Sequence, residues 1–400
     1  AYAYYLRGKA ESKGYGREKY QIKKTITSFQ AAIKLDPQFA AAYAALAIDW
    51  AELYWGTDKL GNELELAHEA LLEAQELAPQ AAETLIAEGY YHYWGHLDYA
   101  RGIAAFDRAL EIEPANYQAL RGKAYALRRL GKLEASILLF KKALLTDPLD
   151  PELPADLAYS LLRLGQLEEA EVMVNRSILL AASIPWNRFV HSEQLLMKGE
   201  LEGAAKTMDV AMQQAGVSSS YVLDVQLLIA RALGNNAVID QMLEKYQDNA
   251  IQTLGPQLSR AIVYIDRDEQ DKLNDLLTKM QTDVQTAMAE QPKAAINLMK
   301  LIAYQGLRRD KVKLAEAIEN YYANTKPDAL EPVFNRTIPV SYAIAGDTDA
   351  LLDYIENTFE QFGPWEFYYY AIDPIFDNMR DLPRFQALDK RYRQWLEQVE

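Results

Sequence analysis

The 400-residue chain contains no cysteine, which excludes disulfides, thiolate metal sites and cysteine nucleophiles. That absence suits an extracytoplasmic bacterial segment as well as a cytosolic one. No stretch approaches the ~20 apolar residues of a membrane-spanning helix. Basic charge is short: 42 Lys and Arg against 57 Asp and Glu leave a net charge of −15. A uniformly basic groove for nucleic acid is therefore not expected, because phosphate binding needs clustered Lys and Arg. The local exception runs from Arg7 to Lys24, where seven basic residues accompany only Glu11 and Glu18. A solvated helix face suits this stretch, and so does contact with anionic lipid if a membrane span precedes it. There is no βαβ pattern and no Gly-x-x-x-x-Gly-Lys-Ser/Thr loop, and Gly14-Tyr15-Gly16 lacks a third glycine. The chain opens Ala1-Tyr2-Ala3-Tyr4-Tyr5, without initiator Met or signal peptide, and reads as part of a longer protein or a mature form.

Candidate catalytic chemistry is equally sparse. His68-Glu69 begins like a zinc-protease motif, but Leu72 stands where the second histidine belongs. His92 and His96, with Asp98 nearby, have the spacing of two zinc ligands on a helix face, but Gly95 and the turn after it are expected to break that helix. His191 is a lone histidine in an apolar segment, either packed or exposed. Glu168-Glu169 and the Glu316–Glu319 segment read as solvated helix faces. Asn175-Arg176-Ser177 and Asn335-Arg336-Thr337 match a glycosylation sequon by chance, and Asn175 is expected inside a helix. No catalytic centre, metal or cofactor is expected.

What is present is a repeat. Pro37, Pro79, Pro114 and Pro148 each follow, by five residues, Ala32, Ala74, Ala109 and Ala143. Eight residues before each proline stand Phe29, Leu71, Phe106 and Phe140, and twelve before stand Thr25, Ala67, Gly102 and Ser136. Small residues let two helices approach, the large one fills the seam, and proline ends the helix. The register continues at a spacing of 34 to Ala182 and Gly216, with Ala170, Val174, Ser177 and then Ala204, Met208, Ala211 in the corresponding places. Leu130-Gly131, Leu164-Gly165 and Lys198-Gly199 supply left-handed turns between helices. Units of this kind bury their apolar faces only by stacking on neighbours. The expected fold is all-α, a right-handed superhelical solenoid of antiparallel helix pairs. Residues 1–216 form the regular part with long first units, and residues 217–400 a degenerate, capped part. Pro374 and Pro383 should bound short helices at the end, with Phe376 and Phe385 packed onto the last full unit.

The alternation of small and bulky positions between about Thr25 and Gly216 resembles the tetratricopeptide repeat. The closing segment, Ile372-Asp373-Pro374-Ile375-Phe376-Asp377-Asn378-Met379-Arg380-Asp381-Leu382-Pro383-Arg384-Phe385-Gln386-Ala387-Leu388, is similar to the end of tetratricopeptide regions in bacterial membrane-bound signalling proteins. Those regions accompany a CadC-type winged-helix domain, a nucleotide cyclase or a serine/threonine kinase. Tyr5-Leu6-Arg7-Gly8-Lys9 and Phe29 to Pro37 resemble their beginning; Leu382 before Pro383 departs from the usual acidic residue. The resemblance implies a non-enzymatic protein- or peptide-binding module, the extracytoplasmic sensing region of a signalling or regulatory protein. A free-standing cytosolic or periplasmic adaptor is the alternative.

In such a solenoid the first helix of each unit faces the concave side. Helical periodicity places Tyr90, Tyr93, Arg121, Tyr125, Arg128, Tyr159, Trp186 and Phe189 on that stripe, as partner-binding residues or as filling between repeats. Tyrosine is abundant, 26 in all, and Tyr368-Tyr369-Tyr370 cannot all face one core. At least one is expected at the surface, where it would pack a second protomer or another domain.

Overall fold

The computed structural model describes residues 1–12, 19–56, 61–215, 220–248, 254–325 and 336–399; Gly14, Tyr15, Gly16, Gly216 and Asn335 lie outside them. Among these residues every regular element is helical. Two compact units emerge, one of residues 1–161 and 172–181, the other of residues 162–171 and 182–400.

Unit 1 holds α1 (Tyr2–Glu11), α2 (Lys19–Leu35), α3 (Ala40–Trp55), α4 (Glu63–Leu77), α5 (Ala82–Tyr90), α6 (Tyr99–Ile112), α7 (Tyr117–Arg129) and α8 (Leu133–Thr146). Two more helices, α9 (Leu153–Arg163) and α10 (Leu167–Ala181), give residues to both units. Successive helices pack as pairs, and α3, α5 and α7 also contact one another in turn, which sets the first helices side by side. The repeat positions explain the packing. Phe29, Phe106, Phe140, Ala32, Ala74, Ala109, Ala143, Thr25, Ala67 and Ser136 are all 0% exposed, and Leu71 is 3%. The four prolines stand in the turns that separate successive pairs. Asp98 and Asn116 cap α6 and α7 by accepting the backbone N–H groups of Arg101 and Ala119 at 3.1 Å.

Phe106 shows why some positions must be small. Its ring lies against the backbone of Gly89 on α5 and Gly122 on α7, and a methyl added at Gly89 would sit 2.5 Å from it. Gly89→Ala gains helix propensity, but the ring is enclosed on both sides and overpacking costs about 1–3 kcal/mol. A net loss of about 1–2 kcal/mol is expected in urea denaturation. An unchanged or raised midpoint would mean the ring has room to move.

Unit 2 holds α11 (Pro185–Met197), α12 (Leu201–Ala215), α13 (Ser220–Ala232), α14 (Asn236–Asp248), α15 (Leu254–Asp266), α16 (Gln270–Glu290), α17 (Ala295–Leu307) and α18 (Lys311–Asn324). It continues with α19 (Thr337–Ala345), α20 (Thr348–Phe362), α21 (Phe367–Ile372), a 3-10 turn Pro374–Met379 and α22 (Pro383–Val399). The helix-pair architecture persists here, since α11–α12, α13–α14, α15–α16, α17–α18 and α19–α20 all pack as neighbours. Pro374 opens a short turn as expected, but Pro383 opens a helix of 17 residues. Proline fits the first turn of a helix because its missing N–H is not needed there. Phe376 and Phe385 are buried, at 1% and 3% exposure.

The turn inside each pair is more regular than the sequence of its residues. Gly131, Gly165, Gly199, Gly234 and Gly346 have φ between 64° and 77°. Leu97, Asp268 and Arg309 take the same conformation, at φ 51°, 53° and 55°. In each of these turns except that at Gly165, the next N–H bonds back to a carbonyl five or six residues earlier, for example Lys132 to Leu127 and Glu269 to Tyr264. These bonds close the helix ends in a Schellman-like manner.

Tyr368, Tyr369 and Tyr370 correct the expectation of an exposed aromatic: they are 2%, 4% and 4% exposed. Three consecutive tyrosines can all be enclosed because their hydroxyls find buried acceptors. Tyr368 and Tyr369 both donate to the Glu193 carboxylate, the latter at 2.6 Å, and Tyr370 donates to Glu366 at 3.4 Å. The Arg336 guanidinium lies 4.9 Å above the Tyr369 ring. This cluster therefore gives no ground for a dimer through that patch.

Candidate binding cleft

The eight stripe residues are all nearly excluded from solvent, from 1% for Tyr125, Tyr159 and Phe189 to 6% for Trp186. They build the seams between first helices and do not form an open surface. In unit 1 they are organised around Arg121. Its Nη2 donates to Glu152 Oε2 at 2.8 Å and Asp156 Oδ2 at 3.1 Å, and its Nη1 to the Tyr117 hydroxyl at 2.7 Å. Nε donates to the Tyr125 hydroxyl at 2.5 Å, and that hydroxyl donates onward to Asp156 at 2.6 Å. Tyr117 donates to Asp150 at 2.5 Å. Arg128 lies 5.2 Å from the rings of both Tyr125 and Tyr159 and donates to the Asp156 carbonyl at 3.2 Å. Tyr93 stacks against Tyr125 at 6.2 Å, and Tyr90 donates to the Gln118 carbonyl at 3.2 Å. In unit 2, Trp186 and Phe189 stack on each other at 5.3 Å.

Burial pushes Asp156 above the usual carboxylate range, opposed by Arg121, Arg128 and the Tyr125 hydroxyl. Asp150 is also subject to the cost of burial. Arg121, Tyr117 and the backbone N–H groups of Leu153 and Glu152 outweigh it and hold Asp150 low. Burial raises the Tyr90 and Tyr117 hydroxyls well above the ordinary phenol range.

Three of the stripe residues, Tyr90, Arg121 and Tyr125, reach the wall of a cavity of about 420 Å³ in unit 1. The remaining wall comes from α1 through Lys9, from α2 through Phe29, and from α3 through Ala45, Ile48, Asp49 and Glu52. Trp94, Tyr117 and Gln118 complete the sides, and Asp147 and Asp150 the turn after α8. A volume near 400 Å³ is in the range of ligand sites. Trp94 owes its place to one π-helical turn, Tyr91–Gly95, which extends α5 and stacks the indole on Tyr90 at 4.6 Å. Such turns are enriched at functional sites.

Periodicity did not single out Lys9, Asp49, Glu52 or Trp94. Asp156, by contrast, had a signal: eight residues after each of the first three prolines stand Ala45, Ala87 and Gly122, and after Pro148 stands an aspartate. That carboxylate, in a small and buried slot, answers the buried Arg121 of the preceding unit.

The histidines sit elsewhere. His92 and His96 flank the end of the π turn with ring centroids 6.0 Å apart, and His68 stacks on Tyr91 at 5.5 Å. Burial lowers the pKa of His92 and His96, and that of His191 on α11. Among the described residues no group of three His, Asp or Glu side chains could hold a metal ion, and no helix is long and apolar enough to cross a membrane. Asn175 lies within α10.

Among the described residues the fold is all-α, built of helices packed as successive pairs. No protein-family model matches the chain, and no curated protein matches it either. Solved structures that it resembles include PilF from Pseudomonas aeruginosa, at 18% identity and TM-score 0.42 over 56% of this chain and 98% of that one. Another is YrrB, described as a tetratricopeptide protein with an unusual peptide-binding site, at 20% identity and TM-score 0.33 over 46% of this chain and 91% of that one. A third is PilW, described as a type IV pilus biogenesis factor, at 21% identity and TM-score 0.31 over 60% of this chain and 90% of that one. These are likenesses of helical-repeat fold at low identity.

Proposed function

We propose that this chain is a non-enzymatic interaction scaffold whose first unit holds an extended segment of a partner protein in the cleft between α1, α3, α5 and α7. The observation that carries the reading is the cavity of about 420 Å³, walled by aromatic side chains and by carboxylates of α3 and of the turn after α8. Helix-borne side chains locked by a buried charge network give a preorganised site, which lowers the cost of ordering a flexible ligand. The closing segment from Ile372 to Leu388, with its resemblance to bacterial signalling proteins, supports the further reading of a sensing region on the extracytoplasmic side of a membrane. Binding would then bias the stacking of the helices and report to a separate module.

The test uses random-peptide display on the purified chain, comparing it with Ile48→Arg and Gln118→Trp. Both residues are half-buried on the cavity wall, so either replacement fills the cleft without opening the core. Peptides that enrich on the intact chain and are lost on both variants support the cleft. No enrichment, or equal capture by all three proteins, overturns it.

A further inference from the structure

The repeat register that buries the inner residues also leaves one set of apolar residues outside. On α8, Leu138 and Leu145 are 68% and 85% exposed; on α10, Val172 and Leu179 are 60% and 86% exposed. Val172 and Leu179 stand 34 residues after Leu138 and Leu145, so both helices present the same two positions outward. A spacing of seven puts each pair on one helix face, two turns apart. All four belong to unit 1. Leu149, 75% exposed in the turn after α8, adds to them. Arg176 of α10 ties the two places together by donating to the Pro148 carbonyl at 2.7 Å.

The helix pairs do not need leucine at these positions. In the unit before, the register holds Ala104 and Glu111 there, and in the unit after, Lys206 and Gln213. The outer side of a surface helix is ordinarily polar, since an exposed leucine contributes no burial. The five side chains together leave on the order of 600 Å² of apolar surface in water, the upper end for the largest patch on a monomer. With a polar margin, a patch of this size reaches the ~800 Å² that each partner gives to a stable protein–protein interface.

Charge chooses the partner. α8 carries Glu134 in its first turn and Lys142 two turns later, both exposed and each four residues from Leu138. Reversing the helix about Leu138 therefore exchanges the two positions. A second α8 laid antiparallel against the first sets a lysine opposite each glutamate and Leu138 opposite Leu138. The face is complementary to itself, as a two-fold interface requires.

We propose that the outer face of α8 and α10 is the interface of a homodimer, in which Leu145, Leu149, Val172 and Leu179 pack around the Leu138 contact and Glu134 pairs with Lys142 of the second copy. None of these residues lines the cleft. The dimer joins two clefts in one particle, which raises avidity for a partner that carries repeated segments.

The test is sedimentation equilibrium of the full chain over a concentration series, beside Leu145→Glu, Leu179→Glu, Glu134→Lys, and Glu134→Lys combined with Lys142→Glu. All four positions are exposed, so the monomer keeps its fold, which circular dichroism checks. The intact chain should show a monomer–dimer equilibrium. Each leucine variant should raise the dissociation constant at least about a hundredfold, because every change occurs twice and sets carboxylates in the apolar centre. Glu134→Lys should weaken the dimer about tenfold, and adding Lys142→Glu should restore it. A chain that is monomeric at every concentration overturns the proposal, whatever other domain or surface covers the leucines. A dimer indifferent to both leucine variants overturns it as well, and one that Lys142→Glu does not rescue overturns the antiparallel pairing of α8.

Discussion

Arg121→Leu will destabilise unit 1 by about 3–5 kcal/mol, because it takes from two buried carboxylates the guanidinium they share. Glu152 and Asp156 are 4% and 0% exposed, and both accept from one Arg121 nitrogen, Asp156 also from the Tyr125 hydroxyl. A loss of that size approaches the whole stability of an ordinary domain. Arg121→Lys keeps the charge but not the planar fork that serves Glu152, Asp156, Tyr117 and Tyr125 together, so it should fall between the two. The triple change Arg121→Leu, Glu152→Gln, Asp156→Asn should recover most of the loss, since replacing a buried ionic cluster costs far less than breaking one.

Acidity supplies an internal control on that result. With Arg121 gone, the pKa of Asp156, already raised by burial in the intact chain, rises further because a lowering influence has been removed. A carboxyl whose folded pKa is raised contributes stability below its unfolded pKa and loses it as pH rises through the folded one. The deficit of Arg121→Leu should therefore narrow toward pH 5 and widen toward pH 8, as read by denaturant unfolding monitored by circular dichroism. A loss within about 1 kcal/mol that does not vary with pH would show that water, and not Arg121, satisfies these carboxylates.

The sequence carried the framework of this fold but not its joints. Periodic alanines and phenylalanines located the helix seams from Thr25 to Ala211, since only close packing demands that alternation. Glycine located three of the tight turns, at Gly131, Gly165 and Gly199. The turns at Leu97, Asp268 and Arg309 were hidden because a non-glycine residue can occupy the left-handed region when the surrounding bonds hold it there, at a cost of about 1 kcal/mol or more. The degenerate appearance of the second half is thus partly a loss of glycine, with the helix pairs retained.

The site was less legible for a related reason. A helical stripe identifies which residues share a face, and Tyr90, Arg121 and Tyr125 do reach the cavity. Whether that face is open depends on what the neighbouring helices place against it. Lys9 lies far from Gln118 in sequence and adjacent to it in the fold, so no local pattern could announce the pair. Tyr368 to Tyr370 failed as surface residues because the acceptor that draws two of them inward, Glu193, stands on α11 in another part of the sequence.

That acid core should make unit 2 more stable in mild acid than in mild base. Burial pushes Glu193 up to about 7, against the Tyr368 and Tyr369 hydroxyls and Arg336, which favour its charged form. Burial likewise pushes Glu366 up to about 8, against Tyr370, Arg163 and Arg336. Both are essentially inaccessible, at 1% and 2% exposure, so the cost of ionising them is not relieved by water. In the unfolded chain both groups ionise near their ordinary glutamate value, and the folded chain holds the extra protons between that value and about 7 to 8. Proton retention by the folded state means that stability falls as pH rises through this window. At about 1.4 kcal/mol per pKa unit, each group accounts for on the order of 3 kcal/mol between pH 5 and pH 9. Thermal unfolding of the intact chain should show the transition that belongs to unit 2 moving down by several degrees over that range. Glu366→Gln cannot ionise and still accepts from Tyr370, so it should flatten the slope and raise stability at pH 9. A transition in the intact chain that is level from pH 5 to 9, or rises with pH, would mean that Arg336 and Arg163 hold these carboxylates charged, and that the tyrosines of α21 close a salt-bridged cluster in place of a protonated one.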